Sequence, residues 1–273
     1  MPVRKSVYYA QNFLKRSDLI ASLIKKSSLC PSDLVYEIGP GRGIITEQLA
    51  KFCQKVVAIE ADASLLKQLR RKFASNPKIA FVLADFLSYP LPRYPYKIFA
   101  NPPFNITADL VRKITETSFS LIDAYLIMQK EAARKFAGQP YGQEALFSLL
   151  LKPWFEVSFV HYFSRGDFFP RPKVDVILLR LQKRKIPLIK AQAARFFKDF
   201  LVFSFSHQKL PTKVSFSVWF KRFQAFQTPA DYYLRRQVAG SFARLCHQQA
   251  QLQKIHRTRL DPRWRKNRPL VLK

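Results

Sequence analysis

The run Asp33-Leu34-Val35-Tyr36-Glu37-Ile38, followed at once by Gly39-Pro40-Gly41-Arg42-Gly43, constrains this chain more than any other stretch. Its apolar residues read as a buried strand, and the amphipathic run from Ile44 to Phe52 reads as a helix. Strand, glycine turn and helix in that order open a nucleotide-binding α/β unit with a parallel sheet. The spacing is Gly-x-Gly-x-Gly and not the Gly-x-Gly-x-x-Gly of dinucleotide binders. A turn this tight suits a ligand without a pyrophosphate, whose carboxylate lies near the positive end of the helix dipole.

Successive apolar runs then end in polar groups. Lys55-Val56-Val57-Ala58-Ile59-Glu60 reads as a second strand closing on a carboxylate, 21 residues after Gly39. An acid about 20 positions past the glycine turn accepts ribose hydroxyls in the dinucleotide fold. Ile79-Ala80-Phe81-Val82-Leu83-Ala84-Asp85 gives a third strand, with an acid at its end placed to accept from an adenine amine. The apolar run Ile98-Phe99-Ala100, following Tyr96 and Lys97, gives a fourth and delivers Asn101-Pro102-Pro103-Phe104. Either acid alone reads equally as a loop residue or a helix cap, and the tetrapeptide alone as a strand end before a turn. Together they put the glycine turn, Glu60, Asp85 and Asn101 at the carboxyl ends of successive strands, where open parallel sheets bind ligands. Thr107 reads as the N-cap of the following helix, with Asp109 in its first turn.

The tetrapeptide carries its own chemistry. The exocyclic nitrogen of adenine is a poor nucleophile because its lone pair is delocalised into the ring. Two acceptors aimed at its two N–H bonds, the Asn101 side-chain oxygen and the Pro102 carbonyl, would favour a pyramidal nitrogen and free that lone pair. Phe104 would stack on the base. Pro102 and Pro103 stiffen the loop and bring no N–H of their own.

These residues resemble the ribosomal RNA adenine dimethylases, a family that includes the Erm and KsgA proteins, over about residues 8 to 182. Gln11-Asn12-Phe13-Leu14 is similar to its N-terminal motif, Glu37 to Gly43 to its donor-binding loop, and Asn101 to Phe104 to its catalytic tetrapeptide. Phe168-Phe169-Pro170-Arg171-Pro172-Lys173-Val174 is similar to its late Phe-x-Pro-x-Pro-x-Val segment. The resemblance implies a class I, Rossmann-like methyltransferase with S-adenosylmethionine as donor, S-adenosylhomocysteine as product and a ribosomal adenine N6 as acceptor. It implies Asn12, Leu14, Gly39, Glu60, Asp85 and Asn101 around the donor, with Asn101 and Phe104 catalytic. Pro102, Phe104 and Phe168 then face the target base. Most members have Asn-Ile-Pro-Tyr or Asn-Leu-Pro-Tyr, whereas Pro102 and Phe104 are closer to DNA adenine methyltransferases. Losing the tyrosine hydroxyl leaves stacking intact, and proline keeps the carbonyl; whether one methyl or two are added stays open.

Charge supports a polyanionic partner independently. The chain carries 47 Lys and Arg against 18 Asp and Glu, a formal net charge of +29. Such an excess attracts nucleic acid and makes binding salt-dependent. Residues 1–151 hold 21 basic and 12 acidic side chains, residues 152–273 hold 26 and 6. The RNA-facing surface is therefore expected to be weighted to the C-terminal part. We read residues 1–182 as a catalytic domain, a doubly wound, seven-stranded, mostly parallel α/β sheet. Residues 183–273 read as a small, basic helical RNA-binding domain, with Phe196, Phe200 and Phe203, then Phe216, Trp219, Phe220 and Phe223, at helical spacing. The tail from Arg257 to Arg268 is an arm that orders on RNA or a solvated extension.

Cys30, Cys53 and Cys246 are odd in number and lack metal spacing, and His161, His207, His247 and His256 are scattered. We expect no disulfide framework, no metal, and a reduced cytoplasmic setting. No apolar stretch approaches a membrane span, and a monomer is expected. Asn105 to Ile114 resembles the Erm branch, which acts on 23S rRNA and confers macrolide resistance. A small-subunit (16S) rRNA dimethylase, a DNA adenine methyltransferase and a non-catalytic RNA-binding assembly factor are the alternatives.

Overall fold

The computed structural model describes residues 12–116, 120–195, 197–199 and 201. Strand β1 (Phe13–Leu14) leads into helix α1 (Ser17–Lys26). Then β2 (Leu34–Ile38), α2 (Ile44–Phe52), β3 (Lys55–Glu60), α3 (Ala63–Lys72) and β4 (Ile79–Leu83) alternate. A longer loop precedes β5 (Tyr96–Ala100), a 3-10 turn over Phe104–Ile106, α4 (Thr107–Glu116) and β6 (Leu121–Gln129). Helices α5 (Lys130–Ala137) and α6 (Leu146–Leu151) follow, then β7 (Phe155–Phe163), β8 (Phe168–Phe169) and β9 (Val176–Lys183).

Seven strands form one sheet in the order β4-β3-β2-β5-β6-β9-β7. The pairs β2·β3, β3·β4, β2·β5 and β5·β6 are parallel, and β6·β9 is antiparallel. This is the doubly wound, mostly parallel α/β sheet read from the sequence. From β2 the chain winds outward through β3 and β4, then returns to β2's other side with β5 and β6. The carboxyl ends of β2 and β5 therefore flank the point where winding reverses, the crevice in which such sheets bind ligands.

Burial explains why these runs are strands. All of β5 is buried, as are four of the five residues of β2, which suits central parallel strands covered on both faces. Ile20, Leu23 and Ile24 of α1 and Ile45, Leu49 and Ala50 of α2 join Val35 and Val56 in one apolar cluster. Helix α3 opens on Asp62, whose carboxylate accepts from the Ser64 and Leu65 amides at 2.7 and 3.2 Å, the geometry of an N-cap.

Thr107 departs from the reading as an N-cap. The 3-10 turn already carries helical backbone into it, with φ −57° and ψ −39°, so Thr107 is the first residue of α4 and not its flank. Its buried hydroxyl donates back to the Pro103 carbonyl at 3.4 Å. Asp85 also lies two residues beyond the end of β4.

The amino ends of the central strands, opposite the crevice, are held by a buried polar network. Asp123 near the start of β6 receives Arg180 Nε at 3.1 and 3.0 Å, Arg180 Nη2 at 2.6 Å and the Ser28 hydroxyl at 2.6 Å. Lys97 at the start of β5 donates to Asp33 and to the Ser28 carbonyl, at 2.7 and 2.6 Å. The Asp123 side chain is 2% exposed and that of Arg180 24%. Asp123→Ala is expected to lower unfolding free energy by about 3 kcal/mol, the low end for breaking a buried pair because Arg180 retains some water. Urea denaturation measures it, and a loss below about 1 kcal/mol would show that solvent replaces the partner.

By contacts the chain divides into two compact units, residues 1–133 with 156–183 and residues 134–155 with 184–273. In the second, Lys152 pairs with Glu144, which also accepts from Ser148 at 2.7 Å. The rings of Phe136 and Phe147 meet edge to face at 5.3 Å, and the Arg184 amide donates to the Trp154 carbonyl at 2.8 Å. Among the described residues no helix is long and apolar enough to cross a membrane. Phe196, Phe200 and Phe203, the pattern from Phe216 to Phe223 and the basic tail lie outside the described residues.

Candidate active site

The glycine turn after β2 is shaped by backbone that only glycine adopts readily. Gly39, Gly41 and Gly43 have φ of +67°, +55° and +78°. A Cβ on Gly41 would sit 2.8 Å from the Phe13 ring, and one on Gly43 2.7 Å from Phe73. The turn therefore packs bare backbone directly against the Phe13 and Phe73 rings, with no space for a side chain at either position.

Two acids lie under and beside it. Glu60, at the end of β3, accepts from the Gly41 amide at 3.3 Å and from the Asp62 amide at 3.1 Å. Burial raises its carboxyl above the usual range, more than those amides lower it. Glu37, the fourth residue of β2, is buried with neither carboxylate oxygen hydrogen-bonded among the described residues. Burial pushes it up to about 8; Thr46 lies near enough to oppose the shift but not in hydrogen-bonding geometry, and the Glu60 charge adds to it.

Asn101, at the end of β5, meets the N-terminal segment. Its Nδ2 donates to the Asn12 carbonyl at 2.8 Å, and its Oδ1 is buried with no donor among the described residues. A carbonyl can only accept, so this contact turns the amide nitrogen toward Asn12 and leaves the oxygen on offer. Asn12 is itself held: its Nδ2 donates to the Pro170 carbonyl at 2.7 Å. The clamp exists because β1 pairs antiparallel with β8, Phe13 opposite Phe169 and Leu14 opposite Phe168. Asn12, Phe13, Leu14, Gly39, Arg42 and Asn101 line one small pocket between this ribbon and the glycine turn.

Four of the six residues expected around a donor, Asn12, Leu14, Gly39 and Asn101, thus share one pocket. Glu60 touches the turn from beneath. Asp85 is exposed and is not among the residues lining that pocket; its carboxylate caps the turn that follows by accepting from the Leu87 amide at 2.9 Å. That turn is pinned by a residue the sequence reading missed. Lys113 of α4 donates to the carbonyls of Phe86, Leu87 and Tyr89, and burial lowers its pKa. A lysine on a helix carries no sequence signal for such a role.

Pro102 and Pro103 are buried, and Phe104 is half-buried against the apolar cluster. Phe168 is not at the pocket surface. It is 0% exposed, edge to face with Phe163 at 5.3 Å, because strand alternation puts it with Leu14 on the inner face of the ribbon. The outward ring is Phe169, at 59% exposure.

A glycine turn, a strand-end carboxylate and an asparagine with a free acceptor at the reversal point of the sheet are the parts expected of the family named above. The model of that family, ribosomal RNA adenine dimethylase, matches residues 3–227. The chain belongs to the ribosomal RNA adenine dimethylase family. An rRNA adenine N-6-methyltransferase of Saccharopolyspora erythraea is 34% identical over 198 residues, 72% of this chain and 51% of its own length. The chain therefore spans about half of that relative. A ribosomal RNA small subunit methyltransferase A of Clostridium perfringens is 29% identical over 212 residues, 76% of this chain and 74% of its own. Among solved structures, the 23S rRNA methyltransferase ErmE superposes with a TM-score of 0.66 at 33% identity, over 71% of this chain and 79% of that one.

Proposed function

We propose that this chain transfers methyl groups from S-adenosylmethionine to the exocyclic N6 of an adenine in 23S rRNA, and that it thereby confers macrolide-type resistance in the cytoplasm of its host. The observation that carries the reading is the Asn101 amide, which donates to the Asn12 carbonyl while its buried oxygen lacks a donor among the described residues. A buried acceptor left unsatisfied is costly and calls for a partner. An amine N–H of the target base fits that need, and its second N–H would be taken by the Pro102 carbonyl.

The residues present also fit the donor. The glycine turn offers bare backbone at Gly39 on the wall of the pocket that Asn12, Leu14 and Asn101 line. Glu60 keeps lone pairs beyond the two amides it accepts, enough for ribose hydroxyls. Asp85 can accept from the donor's adenine amine, and Asn12, Leu14 and Gly39 would enclose the rest. S-adenosylmethionine, when bound, supplies a methyl group activated by its positively charged sulfur. The chain contributes orientation: Asn101 and Pro102 hold the amine with its lone pair toward the methyl, and Phe104 stacks on the base. No strong base is required, because the alkylated nitrogen releases its proton readily to water. The target must be unpaired or swung out of its stack, which selects loop RNA.

The test incubates the purified chain with methyl-labelled donor and with rRNA of each subunit, then maps label by mass spectrometry. Label on 23S adenine N6 is expected. Label on 16S rRNA would favour the second reading, a small-subunit dimethylase, which the coverage of the Clostridium relative supports. No label on either would end both.

A further inference from the structure

We propose that the outer face of the β1·β8 ribbon is a stacking subsite for the nucleotide adjoining the target adenine. The inference rests on the reading above and names the part of the RNA next to the reacting base.

Directly opposed residues of a two-stranded ribbon share a face, so Phe13 and Phe169 stand side by side while Leu14 and Phe168 face inward. Phe13 lines the pocket that holds Asn101, and the Arg42 guanidinium lies over its ring at 5.1 Å. Phe169, one strand further out, is open to solvent on the same face. Arg42, Lys15, Arg16 and Arg171 around the pair are all exposed. Arg16 is taken up by the acids nearby, pairing with Asp18 at 2.5 Å and lying 4.0 Å from Asp167, so the cations that count beside the pair are Arg42, Lys15 and Arg171.

An exposed aromatic ring with basic side chains close in the chain, next to the pocket where Asn101 would meet the target base, matches single-stranded nucleic acid. Such sites stack bases on aromatic faces and run the phosphates over basic side chains. The need is specific to this reaction. Swinging an adenine into the pocket strips its neighbour of a stacking partner, and Phe169 offers a replacement face with Arg171 and Arg42 in reach of the flanking phosphates.

The test uses the full chain and an rRNA fragment that accepts methyl in the assay above. Phe169→Leu is expected to raise the KM for that fragment about 5- to 100-fold, the range of one base–aromatic stack, while affinity for S-adenosylmethionine and the melting temperature hold. Phe169→Trp is expected to stay close to the parent. An abasic nucleotide on one side of the methylated adenine should cost the parent the same factor and cost Phe169→Leu nothing more. An unaltered KM in Phe169→Leu, or losses from the variant and the abasic fragment that multiply, would overturn the subsite alone. No transfer by the parent to any rRNA would overturn the subsite together with the function it rests on.

Discussion

Asn101→Ala is expected to slow single-turnover methyl transfer about 100- to 1,000-fold at saturating donor and RNA, the loss typical of removing one preorganised polar contact from a reacting centre. The alanine takes away the oxygen that would polarise the amine and leaves the Asn12 carbonyl without its donor. Asn101→Asp makes a sharper case. It keeps an acceptor, yet it sets a carboxylate oxygen against the Asn12 carbonyl, so the side chain must turn or take up a proton. Transfer should therefore fall in Asn101→Asp as well, with donor affinity measured separately to keep binding and chemistry apart. A rate within about threefold of the parent in Asn101→Ala would remove the central argument for catalysis, because one lost contact of this kind is worth far more.

The second large effect concerns stability. Glu37 is buried without a hydrogen-bond partner among the described residues, and its carboxyl is pushed up to about 8 from an ordinary 4.5. The folded chain thus holds a proton that the unfolded chain gives up, between pH 4.5 and about 8. Where the native state binds more protons, stability falls as pH rises. Below pH 4.5 both states are protonated and the effect is absent; above about 8 it has levelled off. At pH 7 the difference amounts to about 3 kcal/mol. Glu37→Gln keeps the shape and cannot titrate, so its stability relative to the parent should climb steadily from pH 5 to pH 8, whatever constant offset the amide brings. Chemical denaturation of both proteins at several pH values reads the slope directly. Parallel curves would mean that Glu37 finds a partner and stays charged.

These effects draw on parts of the molecule that differ in how visible they were beforehand. The α2 helix begins at Ile44 and ends at Phe52, as its periodicity indicates, and β3 runs from Lys55 to Glu60 as read. Both are local: glycines that need positive φ, an apolar run of strand length and a 3.6-residue repeat each act within a few positions. The run toward Asp85 extends two residues past the end of β4 at Leu83, where the Asp85 carboxylate caps the next turn. Thr107 looked like a cap because capping residue types are local signals, whereas the 3-10 turn before it was not foreseen.

The amino-acid sequence alone determined the α/β class, the glycine turn, the strand ends bearing Glu60 and Asn101, and the family. What only the tertiary structure decided is which way Asn101 faces and which of two adjacent phenylalanines meets solvent. Asn12 lies 89 positions from Asn101 and 158 from Pro170, and nothing in any of the three segments announces the others. Their meeting depends on β1 pairing with β8, a contact whose partners are chosen by the packing of the whole sheet and whose register turns Phe168 inward and Phe169 outward. A one-residue slip there would exchange the two rings, and no local preference in a Phe-Phe pair resists it.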